Sequence, residues 1–168
     1  MFENLCKRQS DINEHLPTLR DLAKECDSVV EMGVRMVVST WAFLEGLKAG
    51  STLIAIDYKH PSFYGGDITM IEKAAKHKGV KFGFFEADTL LIDIDKTDIL
   101  FLDTDHTYAQ VKGELARHAN KVNKYIVFHD TTSCPEIWPA VQEMIDGKKW
   151  KLFKRYENNN GLTILSRC

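Results

Sequence analysis

The chain has 168 residues, of which 44% are hydrophobic, and this is enough for one domain with a sizeable core. The net charge is −2 with Lys and Arg spread along the chain, which argues against nucleic-acid binding, and four dispersed cysteines without a CxxC pair argue against a zinc site. The N-terminus lacks the apolar segment of a signal peptide, and no run approaches the ~20 apolar residues of a membrane span. We therefore expect a single cytoplasmic domain over 1–168, with no membrane and no nucleic-acid partner.

Apolar runs alternate with amphipathic segments along the chain. The predicted strands, in order, are 28–32, 52–57, 81–87, 98–103 and 125–128. The predicted helices are 11–25, beginning near Pro17, then 39–47, 68–78, 107–120 and 135–146. Two further strands, 150–156 and 161–165, flank a polar turn and predict a hairpin. This order predicts an α/β fold, a doubly wound sheet with helices on both faces.

Two of the strands end in similar polar residues. DILFLDTDH is an apolar strand followed by Asp103 and His106, and YIVFHD ends in His129 and Asp130. Ligands of open parallel sheets bind beyond the carboxyl ends of the strands, so these four side chains would meet at one rim. For either segment alone, the simpler alternative is that these residues cap the strand end. Because the same polar ending occurs after two strands, a functional site is favoured.

An acid also ends or follows each of the early strands: Glu31, Asp57, Asp88 and Asp103. A carboxylate after the second strand can accept both hydroxyls of a ribose. The first turn, EMGVRMV, lacks the GxGxxG spacing that binds a pyrophosphate, and its acid suits a cation such as the ammonium of an amino acid. A ligand with an adenosine, an amino acid and no phosphate is S-adenosylmethionine.

The order of elements resembles a class I S-adenosylmethionine-dependent methyltransferase, whose antiparallel seventh strand forms a hairpin with the sixth. Within that class, FLDTDHTYAQVKGEL followed by IVFHDT is similar to a small family with an (I/L)DGDHSY…VFHDT pattern. That family is related to catechol and macrolide-sugar O-methyltransferases. The resemblance covers nearly the whole chain and implies a Rossmann-like seven-stranded sheet.

The resemblance also implies roles for individual residues. The positions that correspond to the S-adenosylmethionine site are Glu31, Gly33, Ser39, Asp57, Asp88 and Asp103. Among them, Ser39 corresponds to a serine that contacts the methionine carboxylate, and Asp88 to a position near the adenine. The ligands of a divalent metal, Mg or Mn, correspond to Asp103, His129 and Asp130. His106 occupies the place of the general base, with Asp105 in the same turn as a competitor.

Two residues depart from the family pattern. Val37 stands where the family usually has a second glycine, so its side chain could crowd the methionine end of the cofactor. His129 replaces a carboxylate or its equivalent, which makes the predicted metal site less anionic and more tolerant of Mn or Fe.

The other aromatic residues and histidines have simpler predicted places. His15, His60, His77 and His118 are expected on exposed loops or polar helix faces, and Trp41, Phe43 and Leu44 in the core. The run 82–85 is expected to be a core strand. The loop PSFYGG, 61–66, either covers the cofactor with its aromatic pair or is a plain connection.

Three functions remain open at this point. The leading hypothesis is an S-adenosylmethionine-dependent, metal-assisted O-methyltransferase that acts on a hydroxyl of a small molecule or sugar. The alternative is a non-catalytic domain that binds S-adenosylmethionine or another adenosine ligand, which Val37 and the short N-terminus suggest. A nicotinamide-dependent dehydrogenase is disfavoured by the missing GxGxxG. The acceptor is not identified by any motif, and formation of a homodimer is left open.

Overall fold

A computed structural model describes residues 1–168 as one seven-stranded sheet with helices on both faces. The strands are β1 (Ser28–Met32), β2 (Thr52–Asp57), β3 (Lys81–Glu86), β4 (Thr97–Leu102), β5 (Val122–His129), β6 (Trp150–Tyr156) and β7 (Leu162–Arg167). The helices are α1 (Phe2–Lys7), α2 (Leu16–Ala23), α3 (Val38–Gly46), α4 (Ile68–Lys78), α5 (Tyr108–His118) and α6 (Trp138–Asp146).

The strand order is β3-β2-β1-β4-β5-β7-β6, in which β1 to β5 are parallel and β7 is antiparallel to both of its neighbours. The order reverses between β1 and β4, so the carboxyl ends of these strands border the crevice where ligands of doubly wound sheets bind. The predicted fold class, including the C-terminal hairpin, is confirmed.

Two apolar cores cover the two faces of the sheet. One contains the buried side chains of α1 to α4, with Phe43 of α3 against Phe101 of β4 at a ring distance of 5.3 Å. The other contains α5 and α6, packed on Leu100 and Phe128. Every residue of β4 is buried, as expected for a central parallel strand that has helices on both faces.

Several local predictions require correction. The helix predicted over 11–25 is shorter, because a 3₁₀ turn at Asn13–His15 precedes α2, and the sequence analysis missed α1. Between β3 and β4, where no helix was predicted, residues 87–96 connect the two strands without one. The run 82–85 lies in an edge strand, in which Phe82 and Phe84 are partly buried and pack against the core that contains α4, whereas Phe85 is 49% exposed.

Two of the four histidines predicted to be exposed are buried. His15 packs beside His129 and its Nε2 lies 3.0 Å from the Asn158 carbonyl oxygen. The Nε2 of His118 lies 2.8 Å from the Thr89 carbonyl oxygen. The sequence predicted exposure of His15 and His118 because the carbonyl groups that they contact are distant in the chain. His77 is exposed as predicted.

None of the helices combines the length and the apolar character that crossing a membrane requires.

Candidate active site

A cavity of about 590 Å³ opens beyond the carboxyl ends of β1 to β4, a volume typical of small-molecule sites. Four of the six residues predicted for the cofactor site line it: Gly33, Asp57, Asp88 and Asp103. The other lining residues are Arg35, Tyr58, Tyr64, Ala87, Thr89, Thr104, Asp105 and Gln110. The loop 61–66 therefore contributes one aromatic side chain, that of Tyr64, to the cavity wall.

The floor of the cavity is formed where the turn after β1 meets the end of β4. Gly33 has φ +86°, and a Cβ at this position would lie 1.9 Å from the carbonyl oxygen of Asp103. Only glycine permits this approach, because any side chain would displace the strand end. The need for glycine at position 33 therefore couples the turn after β1 to the position of Asp103.

Asp57 stabilises the same turn from β2. Its Oδ2 accepts hydrogen bonds from the backbone N–H groups of Val34 (2.8 Å) and Arg35 (3.0 Å), and its Oδ1 accepts one from Lys59 (3.0 Å). This carboxylate lines the cavity and also orders the turn that follows β1.

Glu31 and Ser39 lie beneath the cavity wall rather than in it. The Ser39 hydroxyl donates a hydrogen bond to Glu31 Oε1, and Glu31 Oε2 has no partner although the residue is fully buried. Burial raises the pKa of the Glu31 carboxyl to about 8. A buried carboxyl oxygen without a donor is costly, so it would favour a cationic or hydrogen-bonding group that reaches it. With its proton donated to Glu31, the Ser39 hydroxyl is not available to a methionine carboxylate in this conformation.

The turn between β1 and α3 also holds two non-glycine residues with positive φ. Val37 has φ +60° and Arg35 has φ +43°. The left-handed region is unfavourable for a β-branched residue, whereas the glycine of the resembled pattern would adopt it without strain. The Val37 side chain is buried in the core on the α3 face, so its bulk is directed into the protein.

A cluster of two carboxylates and two imidazoles lies beside the cavity, at the ends of β4 and β5. His106 Nε2 is 2.8 Å from Asp130 Oδ2 and 3.4 Å from Asp103 Oδ1. His129 Nδ1 is 3.3 Å from the same oxygen of each carboxylate. The four residues therefore meet as the sequence predicted, and Asp103 belongs both to this cluster and to the cavity.

The charges of this cluster are strongly coupled. Hydrogen bonds to Asp103 and Asp130 raise the pKa of His106 to about 10. Burial opposes the charged form of His129, yet bonds to the same two carboxylates raise its pKa to about 10. Burial likewise favours the neutral acids, but the imidazoles hold the pKa values of both carboxyls below their usual range. The carboxylates thus create a strong preference for positive charge between them.

These residues fit a divalent metal. Ligand atoms of Asp103, His129 and Asp130 lie within 4.8 Å of one another. His129 Nε2 lies 3.1 Å from the backbone carbonyl oxygen of Asp11 and can donate its hydrogen there, which leaves Nδ1, facing the carboxylates, to bind an ion that displaces its proton. Such a bond to a carbonyl is a common support of a metal-ligating histidine. Asp105, the competitor of His106, is exposed and lines the cavity, outside this cluster.

The sequence analysis did not identify the support that the N-terminal segment gives to the site. Asp11 accepts from His129 through its carbonyl and forms an exposed ion pair with Arg35, at 2.9 Å. Burial lowers the pKa of His15, which packs beside His129. Only the fold brings these residues to the end of β5, and no local motif indicates it.

A buried polar network in the cavity wall was also missed. Glu114 of α5 is fully buried and accepts hydrogen bonds from Thr89, Thr104 and Gln110. Burial raises the pKa of the Glu114 carboxyl above its ordinary value. The i, i+4 spacing of Gln110 and Glu114 was the available signal, since such pairs face each other on a helix.

Comparisons with known proteins support the fold. No protein-family model and no curated protein sequence matches the chain. Among solved structures, an O-methyltransferase from Bacillus cereus in complex with SAH superposes with a TM-score of 0.68 at 13% identity, over 99% of this chain and 86% of that one. A methyltransferase from Geobacter sulfurreducens gives 0.68 at 16% identity, and an SAH-bound methyltransferase from Podospora anserina gives 0.63 at 14%, both with the same coverage.

The chain has the Rossmann-like methyltransferase fold. At these identities the likeness concerns the backbone arrangement alone.

Proposed function

We propose that this protein is an S-adenosylmethionine-dependent O-methyltransferase, assisted by a divalent metal, that acts on a hydroxyl of a small molecule or sugar. The observation that carries the proposal is the position of Asp103, which lines a nucleoside-sized cavity and also belongs to a four-residue carboxylate–imidazole cluster. Methyl transfer to a hydroxyl needs both a cofactor pocket and a deprotonating centre at its edge. The relatives in complex with SAH support the choice of cofactor.

The cofactor would supply a methyl group on a positively charged sulfur. Asp57 lines the cavity with both oxygens near backbone donors and would accept the ribose hydroxyls with its remaining lone pairs. Glu31 would attract the ammonium of the methionine part through its unpartnered Oε2. Gly33 keeps the turn between them close to β4, and Asp88 would contact the adenine.

Asp103, His129 and Asp130 would hold a divalent ion, which would lower the pKa of an acceptor hydroxyl and orient its oxygen. His106 is the general base in this proposal, because it reaches the same rim with a half-exposed imidazole. The cofactor, when bound, would supply the methyl group to the acceptor oxygen and leave as S-adenosylhomocysteine, and His106 would accept the hydroxyl proton. The imidazole accepts this proton only when neutral, so the charge of Asp103 and Asp130 must first be balanced by a cation.

The acceptor would enter beside the Arg35–Asp11 ion pair. Both side chains are exposed, and their ion pair links the turn after β1 to the N-terminal segment, whose Asp11 carbonyl oxygen contacts His129. An exposed ion pair of this kind opens at small cost, so it would not block a small hydroxylated molecule.

The second candidate function is a domain that binds the cofactor without catalysis. The observation in its favour is His106, whose ion pairs with both carboxylates satisfy the cluster without a metal. In that case the histidine would be structural and the cavity alone functional.

Titration calorimetry followed by a transfer assay tests the proposal. The purified protein should bind S-adenosylmethionine, and labelled methyl should pass to hydroxylated acceptors when Mg²⁺ or Mn²⁺ is added. Asp103→Ala should abolish the response to metal, whereas the control Asp95→Ala, an exposed acid away from the cluster, should retain it. Binding without transfer to any of a broad set of catechols and sugars would favour the second candidate, and absence of binding would overturn both.

A further inference from the structure

The turn between β6 and β7 is fixed to the loop that follows β5. The backbone carbonyl oxygen of Asn160 accepts hydrogen bonds from the N–H groups of Thr132 (2.9 Å) and Ser133 (3.1 Å). Gly161 has φ +93°, and a Cβ at this position would lie 2.5 Å from the Thr132 nitrogen, so only glycine allows this approach. The Ser133 hydroxyl donates to Asp130 Oδ1 at 2.9 Å. The turn therefore has a fixed position relative to Asp130, which follows β5.

Asn159 of the same turn holds a segment near the N-terminus. Its side-chain Nδ2 donates to the Ser10 carbonyl oxygen at 2.8 Å, and its Oδ1 accepts from the backbone N–H of Glu14 at 3.0 Å. The two bonds use the donor and the acceptor of one amide, which fixes the orientation of that amide. Between the two contacts lies Asp11, whose carbonyl oxygen is 3.1 Å from His129 Nε2.

The backbone around Asp11 needs such a support because it has no regular secondary structure. Residues 8–12 lie between α1 and the 3₁₀ turn at Asn13–His15, so neither a helix nor a strand sets the direction of the Asp11 carbonyl. The Ser10 carbonyl belongs to the peptide group immediately before that of Asp11. Because peptide groups are planar, holding the first one leaves only the two backbone dihedrals of Asp11 to orient the next.

The direction of this carbonyl matters for the proposed metal site. A hydrogen bond from one ring nitrogen to a carbonyl orients a metal-ligating histidine and leaves its other nitrogen for the ion. His129 Nδ1 lies 3.3 Å from an oxygen of each carboxylate in the cluster. A shift of the Asp11 carbonyl would therefore remove the contact that keeps the ring in this position.

We propose that Asn159 is a positioning residue for the metal ligand His129 and acts through the carbonyl oxygen of Asp11. This inference rests on the proposed function, since it concerns the metal site of that proposal. Asn159 is not among the residues that line the cavity, so its effect on metal binding is separable from cofactor binding.

Titration calorimetry of the full chain with Mn²⁺ alone tests this inference, and the relevant binding is that which Asp103→Ala removes. Asn159→Gly deletes both side-chain bonds, while glycine adopts the positive φ of this position (+45°) without strain. Loss of a partner behind a metal ligand typically weakens metal binding 10- to 100-fold, so Mn²⁺ affinity should fall about tenfold. Affinity for S-adenosylhomocysteine should stay unchanged.

Asn160→Gly is a matched control in the same turn. Asn160 also has a positive φ, +68°, and its side chain is exposed and makes no hydrogen bond. Glycine keeps the backbone carbonyl that Thr132 and Ser133 contact. The control should therefore bind Mn²⁺ as tightly as the unmodified protein.

Asn159→Asp separates the two side-chain bonds. Its carboxylate can still accept from the Glu14 N–H, but it faces the Ser10 carbonyl oxygen without a hydrogen to donate. Two acceptors in contact repel each other, so this variant should also lose about tenfold in Mn²⁺ affinity. If Asn159→Gly does not fold, Asn159→Asp decides.

Three results would contradict the inference. Equal Mn²⁺ affinity in the folded Asn159 variant and in Asn160→Gly would overturn it while the proposed function stands. An equal loss of affinity for Mn²⁺ and for S-adenosylhomocysteine would do the same, because it would show that Asn159 stabilises the protein as a whole. If the unmodified protein binds no Mn²⁺, the metal assistance in the proposed function fails and this inference with it.

Discussion

The affinity for S-adenosylmethionine should depend on pH through Glu31. Its carboxyl is fully buried with one oxygen unpartnered, and burial raises its pKa to about 8. At neutral pH the empty protein therefore holds this group mostly protonated. Pairing with the ligand's ammonium requires the carboxylate, so binding below about pH 8 must release a proton.

The size of the pH effect on affinity follows from the difference between the pKa of Glu31 and the pH of the solution. Each pH unit below the pKa costs about 1.4 kcal/mol, so affinity should rise about tenfold per unit from pH 6 and level off near pH 8. Asp57 and Asp103 add to the effect because their charges disfavour a third carboxylate nearby. The group also links pH to stability. Its pKa is raised on folding, so the free energy of unfolding should decrease as pH rises from its ordinary pKa to above 8, by up to about 5 kcal/mol.

Calorimetry in two buffers of different ionisation enthalpy measures both affinity and proton release. At about pH 6.5 the protein should release close to one proton per ligand bound, and Glu31→Gln should release none from this site. The variant should bind about ten- to a hundredfold more weakly at pH 8.5 and differ little from the unmodified protein at pH 6. Its melting temperature should exceed that of the unmodified protein at high pH.

Two results would refute this reasoning. A flat affinity between pH 6 and pH 8 would mean that Glu31 does not pair with a cationic part of the ligand. The same slope in Glu31→Gln as in the unmodified protein would assign the titration to another group.

Three further variants test the site. Asp57→Ala should weaken cofactor binding about ten- to a hundredfold in calorimetry, because hydrogen bonds to a charged group are lost and the turn after β1 loses two backbone contacts. The control Asp67→Ala, which removes the cap of α4, should leave cofactor affinity unchanged. If Asp57→Ala binds as tightly as the unmodified protein, the ribose assignment is wrong. His106→Ala should lower kcat about 10²- to 10⁴-fold while cofactor and metal binding stay nearly intact. Loss of metal binding in this variant would mean that His106 is a metal ligand. Full activity with the true acceptor would exclude His106 as the general base. Gly33→Ala should destabilise the protein and abolish metal binding, because a Cβ would lie 1.9 Å from the Asp103 carbonyl oxygen; normal thermal melting would contradict this close approach.

Much of this arrangement could be predicted from the sequence because it depends on local chemistry. Uninterrupted apolar runs such as that in β4 predicted buried parallel strands, and their alternation with amphipathic segments predicted the doubly wound sheet. Because parallel strands end at one edge, the acids after these runs were expected to meet there. Asp103, His106, His129 and Asp130 do meet.

Only the tertiary structure decided the protonation tendencies and orientations within the site. The pKa of Glu31 depends on complete burial, and the direction of the Gln110 amide depends on Thr89 and Glu114 from separate elements. His15 appeared to be a surface residue because the carbonyl oxygen nearest its Nε2 lies 143 positions away in the chain. Apolar periodicity reports the burial of a residue within its own helix or strand. The partners that neutralise, orient or bury a polar group come from other elements, so only the folded chain determines them.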